Sequence, residues 1–211
     1  MENKPVILLG AGGHATVLLD VLTLVGANVL GYLDKSSGGG GDNLRDVPFL
    51  GVDEEVRRFS PTDILLVNGI GSVGKAESRR EIFLKFRAWG YHFRSVIHPT
   101  ATISNWARMG EGVQVMAGAV VGANVTVGDN VIINTRATVD HDCHLASHVH
   151  IAPGAVLSGM VQVGESAHIG TGAAVKQGVR IGERAIVGVG SAVVHDISVG
   201  AVAYGCPARV R

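Results

Sequence analysis

The sequence predicts a chain of two parts. The first is an α/β unit of Rossmann type (βαβαβ) over residues 1–96. The second is a parallel β-helix of six-residue repeats, about six coils, over residues 97–211 with a short C-terminal tail. Three observations predict it. Aliphatic residues recur every six positions through the second part. A buried apolar run enters a glycine turn and then an amphipathic helix at the start of the first. Thirty of 211 residues are glycine against 5% aromatics. That is about twice the roughly 7% glycine of an ordinary chain, which asks for many tight turns between short strands.

The repeat comes first, because a fixed period decides the whole architecture. Stepping by six from Ile97 meets Ile, Leu, Val or Met at every position through Val199, 18 consecutive hexads without an insertion. Four residues further on stands a small or β-branched residue, such as Ala101, Ala119, Cys143, Ala155 and Ala173. The position after the aliphatic residue is glycine eight times, as at Gly122, Gly128, Gly164 and Gly182. A period of six is neither helical nor a simple strand alternation. It fits a short flat strand and a turn, the aliphatic residue inward and the small one beside it at the corner. Glycine, Asn and Asp suit the turns. Three hexads close a triangular coil, and six coils at a strand spacing of roughly 4.8 Å make a prism about 29 Å tall. A β-sandwich would not keep an integer register over 100 residues. This register resembles the hexapeptide acyltransferase superfamily, whose prisms are left-handed and usually trimeric.

The first part alternates strand and helix. Pro5–Gly10 is a buried strand, and Gly10–Ala15 a turn. A helix follows with Val17, Leu18, Val21, Leu22 and Val25 on one face. A second strand, Asn28–Leu33, ends at Asp34. Ser36–Gly41 is a glycine-rich loop. A short strand at Phe49–Gly51, a short helix at Asp53–Phe59, a buried strand at Asp63–Asn68, a helix at Ala76–Trp89 and a strand at His92–Ile97 complete it. Gly10-x-Gly12-x-x-Ala15 with Asp34 some twenty residues later fits a dinucleotide fingerprint. The same residues also fit a tight turn that merely starts a helix. Read functionally, they hold a phosphate-bearing ligand at the helix N-terminus, with His14 and Asp34 at the carboxyl edge of the sheet.

Four of the nine histidines, His141, His144, His148 and His150, fall within ten residues. His141 is third in its hexad and therefore projects outward, between Asp140 and Asp142. One coil later stands Gly159, which has no side chain and leaves a groove where a thioester could lie. Acetyl transfer needs a base for the acceptor's proton, and neutral His suits this near pH 7. A carboxylate on its other nitrogen, from Asp142 or Asp140, would fix the tautomer. A backbone N–H near Gly159 would meet the oxyanion. His144 and His148 read as solvated surface residues. Cys143, on the small corner position, reads as structural.

Charge and composition narrow the classes. Lys+Arg and Asp+Glu are 18 each, so there is no basic excess for nucleic acid or an anionic membrane. Two cysteines make no disulfide framework. Neither a signal peptide nor a run of membrane-span length is expected, and a cytoplasmic protein is.

Motifs spread over the whole chain then narrow the family. They are Gly-Ala-Gly-Gly-His at 10–14, His98-Pro-x-Ala, Asn134-Thr, Val139-Asp-His-Asp-Cys, His150-Ile-x-Pro-Gly, Ser158-Gly and Gly205-x-Pro-Ala. Together they resemble the bacterial sialic-acid O-acetyltransferases and nucleotide-aminosugar N-acetyltransferases of surface-glycan pathways. The resemblance implies acetyl-CoA as co-substrate, no metal, and a homotrimer. It implies His141 as catalytic base with Asp142 beside it, where family members often carry Glu. It implies acetyl-CoA contacts at His150, Gly159, Thr171 and Val189. For the nucleotide sugar it implies Gly12, Gly13 and His14, then Asp34 and Lys35, and Gly69, although Asn68-Gly-Ile-Gly departs from the commoner Ile-Gly-Asn form.

The expected reaction is N-acetylation of an amino group on a UDP- or GDP-linked 4-amino-deoxy sugar, the front unit gripping the nucleotide. O-acetylation of a sialic or related nonulosonic acid is the alternative. A non-catalytic nucleotide-sugar sensor is a third reading. A zinc hydratase is a fourth, since trimeric β-helix carbonic anhydrases share the architecture and hold zinc by three histidines.

Overall fold

The computed structural model describes residues 4–35, 44, 47–72 and 77–211. The chain divides into two compact units, residues 1–73 with 78–96, and residues 74–77 with 97–211. The predicted loop Ser36–Gly41 lies outside the described residues.

The first unit holds a four-stranded parallel sheet of β1 (Val6–Leu9), β2 (Val29–Leu33), β3 (Phe49–Gly51) and β4 (Leu65–Asn68), in the order β3-β2-β1-β4. β1 is central and buried on both faces, which explains its unbroken apolar run. Helix α1 spans Gly13–Leu24 and α2 Glu77–Ala88, with a 3-10 helix at Asp53–Arg58 between β3 and β4. The buried stripe of α1 is Ala15, Leu18, Leu19 and Leu22, with Val21 beside it. Val17 and Val25, expected inside, are exposed. The stripe runs i, i+3, i+4, i+7 from Ala15, and that phase leaves Val17 on the far side. Ile7, Leu9, Leu33 and Leu66 pack with Phe83 and Phe86 of α2 in one core. The expected strand at His92–Ile97 is observed as one bridge between Phe93 and Leu66 and a two-residue strand at Val96–Ile97.

The segment after β4 is fixed from within. Arg79 of α2 is buried and donates from Nη1 to the carbonyls of Asn68 and Ile70, both at 2.8 Å. Asn68 answers with Nδ2 donating to the Arg79 carbonyl at 3.0 Å, while its Oδ1 accepts the Ile70 amide at 3.1 Å. Burial pushes the guanidinium down to about 9, so it remains a cation at neutral pH.

The second unit is a prism of two-residue strands stacked in parallel, each residue pairing with one 18 positions later, as Thr126 with His144 and Ile132 with His150. Three sheets form its faces. The outward residues give each a character. The histidine face shows Gln114, Ile132, His150, His168 and Ile186. The uncharged face shows Thr102, Val120, Thr138, Val156, Ala174 and Ala192. The polar face shows Arg108, Thr126, His144, Gln162 and Arg180. Inside, the sixth-residue series from Val115 to Val193 and its small partners form one buried core.

The corners work differently from the expectation. The left-handed backbone falls on the fourth residue of the hexad, including Asn124, Asp142 and Met160 at φ 59, 58 and 61°. Glycine at the second position serves close approach instead: a Cβ on Gly122 would lie 2.8 Å from the His141 amide nitrogen.

The eighteenth hexad also differs. Val199 is 63% exposed, while Ile197 is buried and bridges Ile181. Val202–Gly205 pairs with Ile186–Val187 at a spacing of 16. The last turn is two residues short because Asp196 closes it, its Oδ1 accepting the Arg180 amide at 2.8 Å. Among the described residues no helix is long and apolar enough to cross a membrane.

Candidate active site

His141 sits on the edge between the uncharged and polar faces, in the turn joining Thr138–Val139 to His144–Leu145. Its backbone is fixed on both sides. The amide donates to Asp140 Oδ1 at 2.7 Å, and the carbonyl accepts the Met160 amide at 2.9 Å. Its side chain pairs through Nδ1 with Asp142 Oδ2 at 2.8 Å. So Asp142 meets the ring and Asp140 the main chain. The shorter arm of aspartate reaches because the left-handed residue 142 turns it back toward 141.

The ring lies over Gly159. A Cβ there would fall 2.5 Å from His141 Nε2 and 2.6 Å from Cε1. The space expected to form a groove is thus taken by the imidazole itself, whose Nε2 stays free of any partner among the described residues. The neighbouring amides are committed, Ser158 to the Val175 carbonyl and Met160 to His141. The Gly159 amide makes no hydrogen bond among the described residues. The Asp142 hydrogen bond raises the His141 pKa above the ordinary 6.5, and Asp140 adds to this. Asp142 is lowered in turn, first by His141 and then by Asn124, whose Nδ2 donates to Oδ1 at 3.2 Å.

The other predicted residues lie elsewhere. His150 is buried on the histidine face, with Nε2 3.1 Å from Asn134 Nδ2 and its ring edge-on to His168. Thr171 and Val189 sit 18 apart on the edge between the histidine and uncharged faces, Val189 77% exposed. One prism therefore carries the implied acetyl-CoA positions on two different edges. His148, expected in solvent, is buried with Nδ1 3.0 Å from Asn130 Nδ2, because its left-handed corner directs it onto Asn130 one coil back. His144 is exposed on the polar face. The four clustered histidines do not converge within one chain, and among the described residues no group of three or more His, Cys, Asp or Glu could hold a metal ion. Cys143 is buried, donates to the Ser158 carbonyl at 3.2 Å, and burial pushes its thiol up to about 11. That makes it a poor nucleophile.

In the first unit a cavity of about 530 Å³ opens at the carboxyl ends of β1 and β2. Asp34 and Lys35 line it, as expected. So do Asp53, Ser78, Glu81 and Lys85, which sequence reasoning missed. Residues 78, 81, 82 and 85 are spaced as one helix face, and that spacing was the available signal. Gly12 caps the N-terminus of α1, and a Cβ on Gly12 or Gly13 would meet none of the described residues within 4 Å. His14 is half-buried beside it. Gly69 is closed in: its amide donates to the Leu9 carbonyl at 2.8 Å, and a Cβ would lie 2.6 Å from that same oxygen.

A prism with a histidine–carboxylate pair on its edge, joined to a small parallel α/β unit, is the architecture of a hexapeptide-repeat transferase. Comparison with known proteins bears this out. Residues 5–86 match the PglD N-terminal domain family, and residues 107–141 and 124–159 match the bacterial transferase hexapeptide family of six repeats. The chain is similar to the acetyltransferase domain of PglB from Neisseria gonorrhoeae FA1090, solved with acetyl coenzyme A. Identity is 37%, over 99% of this chain and 100% of that one, with a TM-score of 0.92. It is likewise similar to PerB from Caulobacter crescentus, solved with CoA and GDP-perosamine, at 38% identity over 98% and 97% of the two chains and a TM-score of 0.90. WeeI from Acinetobacter baumannii AYE shares the fold at 24% identity over 98% and 99%, with a TM-score of 0.85. The chain belongs to the bacterial sugar acetyltransferases of the hexapeptide-repeat superfamily, and its prism is a left-handed parallel β-helix.

Proposed function

We propose that this protein transfers the acetyl group of acetyl-CoA to the amino group of a nucleotide-linked 4-amino-deoxy sugar, with His141 as general base. The observation that carries the reading is the His141–Asp142 pair at 2.8 Å lying over Gly159. The relatives support the substrate class: one was solved with acetyl coenzyme A, another with CoA and GDP-perosamine. The cavity holding Asp34 and Lys35 suits a nucleotide, and the turn at Gly12, Gly13 and His14 suits its phosphates. Gly69 would shape this pocket through its packing on Leu9.

The acceptor amine attacks the thioester carbonyl carbon, and Nε2 of His141 takes the proton released as the C–N bond forms. Asp142, on Nδ1, holds the tautomer that leaves Nε2 bare and stabilises the imidazolium. The Gly159 amide is the donor for the oxyanion. As the C–S bond breaks, the imidazolium returns its proton to the departing thiolate.

We further propose a homotrimer. The uncharged face bears no ionisable group, from Thr102 to Ala192, and suits the threefold axis. That arrangement sets the His141–Gly159 edge of one copy beside the Thr171–Val189 edge of the next, so acetyl-CoA lies between copies with His150 on the flanking face. The first unit then serves as the nucleotide-sugar domain, residues 1–96, and the prism, residues 97–211, as the transferase domain.

The test is an acceptor panel read by thiol release from acetyl-CoA. Turnover with one GDP- or UDP-4-amino sugar, lost in His141→Ala by at least about 10²-fold, is the expected result. Turnover only with sialic acids would move the activity to O-acetylation. Full turnover in His141→Ala would remove the base.

A further inference from the structure

We propose that Asn124 is a positioning residue for the base, acting on His141 through Asp142. This rests on the reading of His141 as the general base.

Asn124 and Asp142 stand one coil apart at the same corner position, with left-handed backbones of φ 59 and 58°. The coils are joined at this point, the Asp142 amide donating to the Ala123 carbonyl at 2.9 Å. Above that bond the side chains meet: Asn124 Nδ2 donates to Asp142 Oδ1 at 3.2 Å, while Oδ2 takes His141 Nδ1 at 2.8 Å. Among the described residues each carboxylate oxygen thus has one side-chain partner, and the two partners define the plane of the group. Without Asn124 the imidazole, the group the carboxylate has to orient, is the one side-chain partner the described residues leave it.

The pair is exposed, with 48% of each of the His141 and Asp142 side chains open to solvent. Water therefore competes for both oxygens, and a surface hydrogen bond of this kind contributes little to folding. Its effect belongs to geometry. A base must meet the acceptor within a narrow range of distance and angle, and small misplacements cost rate steeply. The hydrogen bond from Asn124 also lowers the Asp142 pKa, after the larger effect of His141. Among the described residues, Asp140 and Asp142 are the charges that act on the His141 ring.

The experiment is a kinetic cycle on the full-length enzyme. Asn124→Gly removes the amide and accepts the left-handed backbone without strain. The expected result is a fall in kcat of roughly 10-fold, with KM for both substrates within about twofold and an unchanged melting temperature. In an Asp142→Asn background the same substitution has no further effect, because the group it positions is already altered. Asn124→Asp sets a second carboxylate beside the first and shifts the acid limb of the kcat/KM profile upward. His141→Ala is run in parallel. If His141→Ala is inactive and Asn124→Gly keeps wild-type kcat, the positioning role is overturned and the base stands. An equal fall in both backgrounds, or a change in KM alone, also overturns it. If His141→Ala keeps its turnover, the base assignment fails first and takes this one with it.

Discussion

The imidazole of His141 rests in the space that a side chain at residue 159 would fill, with Nε2 2.5 Å from where the Gly159 Cβ would stand. Glycine here is required by the ring above it, since its own backbone lies outside the left-handed region.

Gly159→Ala should therefore fold normally and lose turnover. The added methyl drives the ring off the edge and breaks its alignment with Asp142. A fall in kcat of roughly 10²-fold is expected, with circular dichroism and melting temperature near wild type. Steady-state kinetics beside a thermal melt would check it, and wild-type kcat would show that the ring works from another position.

The pH profile follows from the same pair. Asp142 raises the His141 pKa above 6.5, and the base acts only when neutral. Activity should thus fall as pH drops through a value above 6.5. Asp142→Asn removes the stabilised imidazolium, so the limb should move to lower pH while kcat drops by roughly 10²-fold. A kcat/KM titration of both proteins tests this; an unmoved limb would assign it to another group.

A shared site has an arithmetic signature. Val189 is 77% exposed, so Val189→Trp should block the proposed acetyl-CoA groove without disturbing the prism. Mixed in equal amounts and reassembled, Val189→Trp and His141→Ala chains should regain about a quarter of wild-type activity, from junctions that join an intact edge of each. Recovery of none would place both edges' functions within one chain.

Arg79 makes a stability prediction. Its Nη1 donates to both Asn68 and Ile70 carbonyls, so Arg79→Leu takes the donor from one buried and one part-buried acceptor. A loss of about 2–3 kcal/mol in denaturant unfolding is expected, and Arg79→Lys should recover only part of it, since the shorter side chain does not carry its ammonium to where Nη1 stands.

The prism was legible because its one rule, inward every sixth residue, is enforced by burial from Val115 to Val193. It failed at Val199, where the Asp196 contact with Arg180 shortens the turn, a tertiary event with no local signature. His141, Asp142 and Gly159 could be read together because coil stacking converts a separation of 18 into contact. Asn124 obeys the same arithmetic relative to Asp142, and a search for polar pairs 18 apart would have found it. His148 was misjudged because the bond to Asn130 depends on which way a left-handed corner turns its side chain. In the first unit the phase of α1 was set by the sheet beneath it, so the apolar Val17 and Val25 misled.

The two-residue shortening lies at the far end of the prism, beyond Val193. In a solenoid every side chain has an address of two parts, a corner and a storey. Removing six residues rotates everything downstream by one corner, and removing two misaligns it altogether. Only whole storeys of eighteen residues can be gained or lost above His141 and Gly159 without scrambling that address. Length variation is therefore quantised through the body of the prism and free only at its last turn, where this chain has used it.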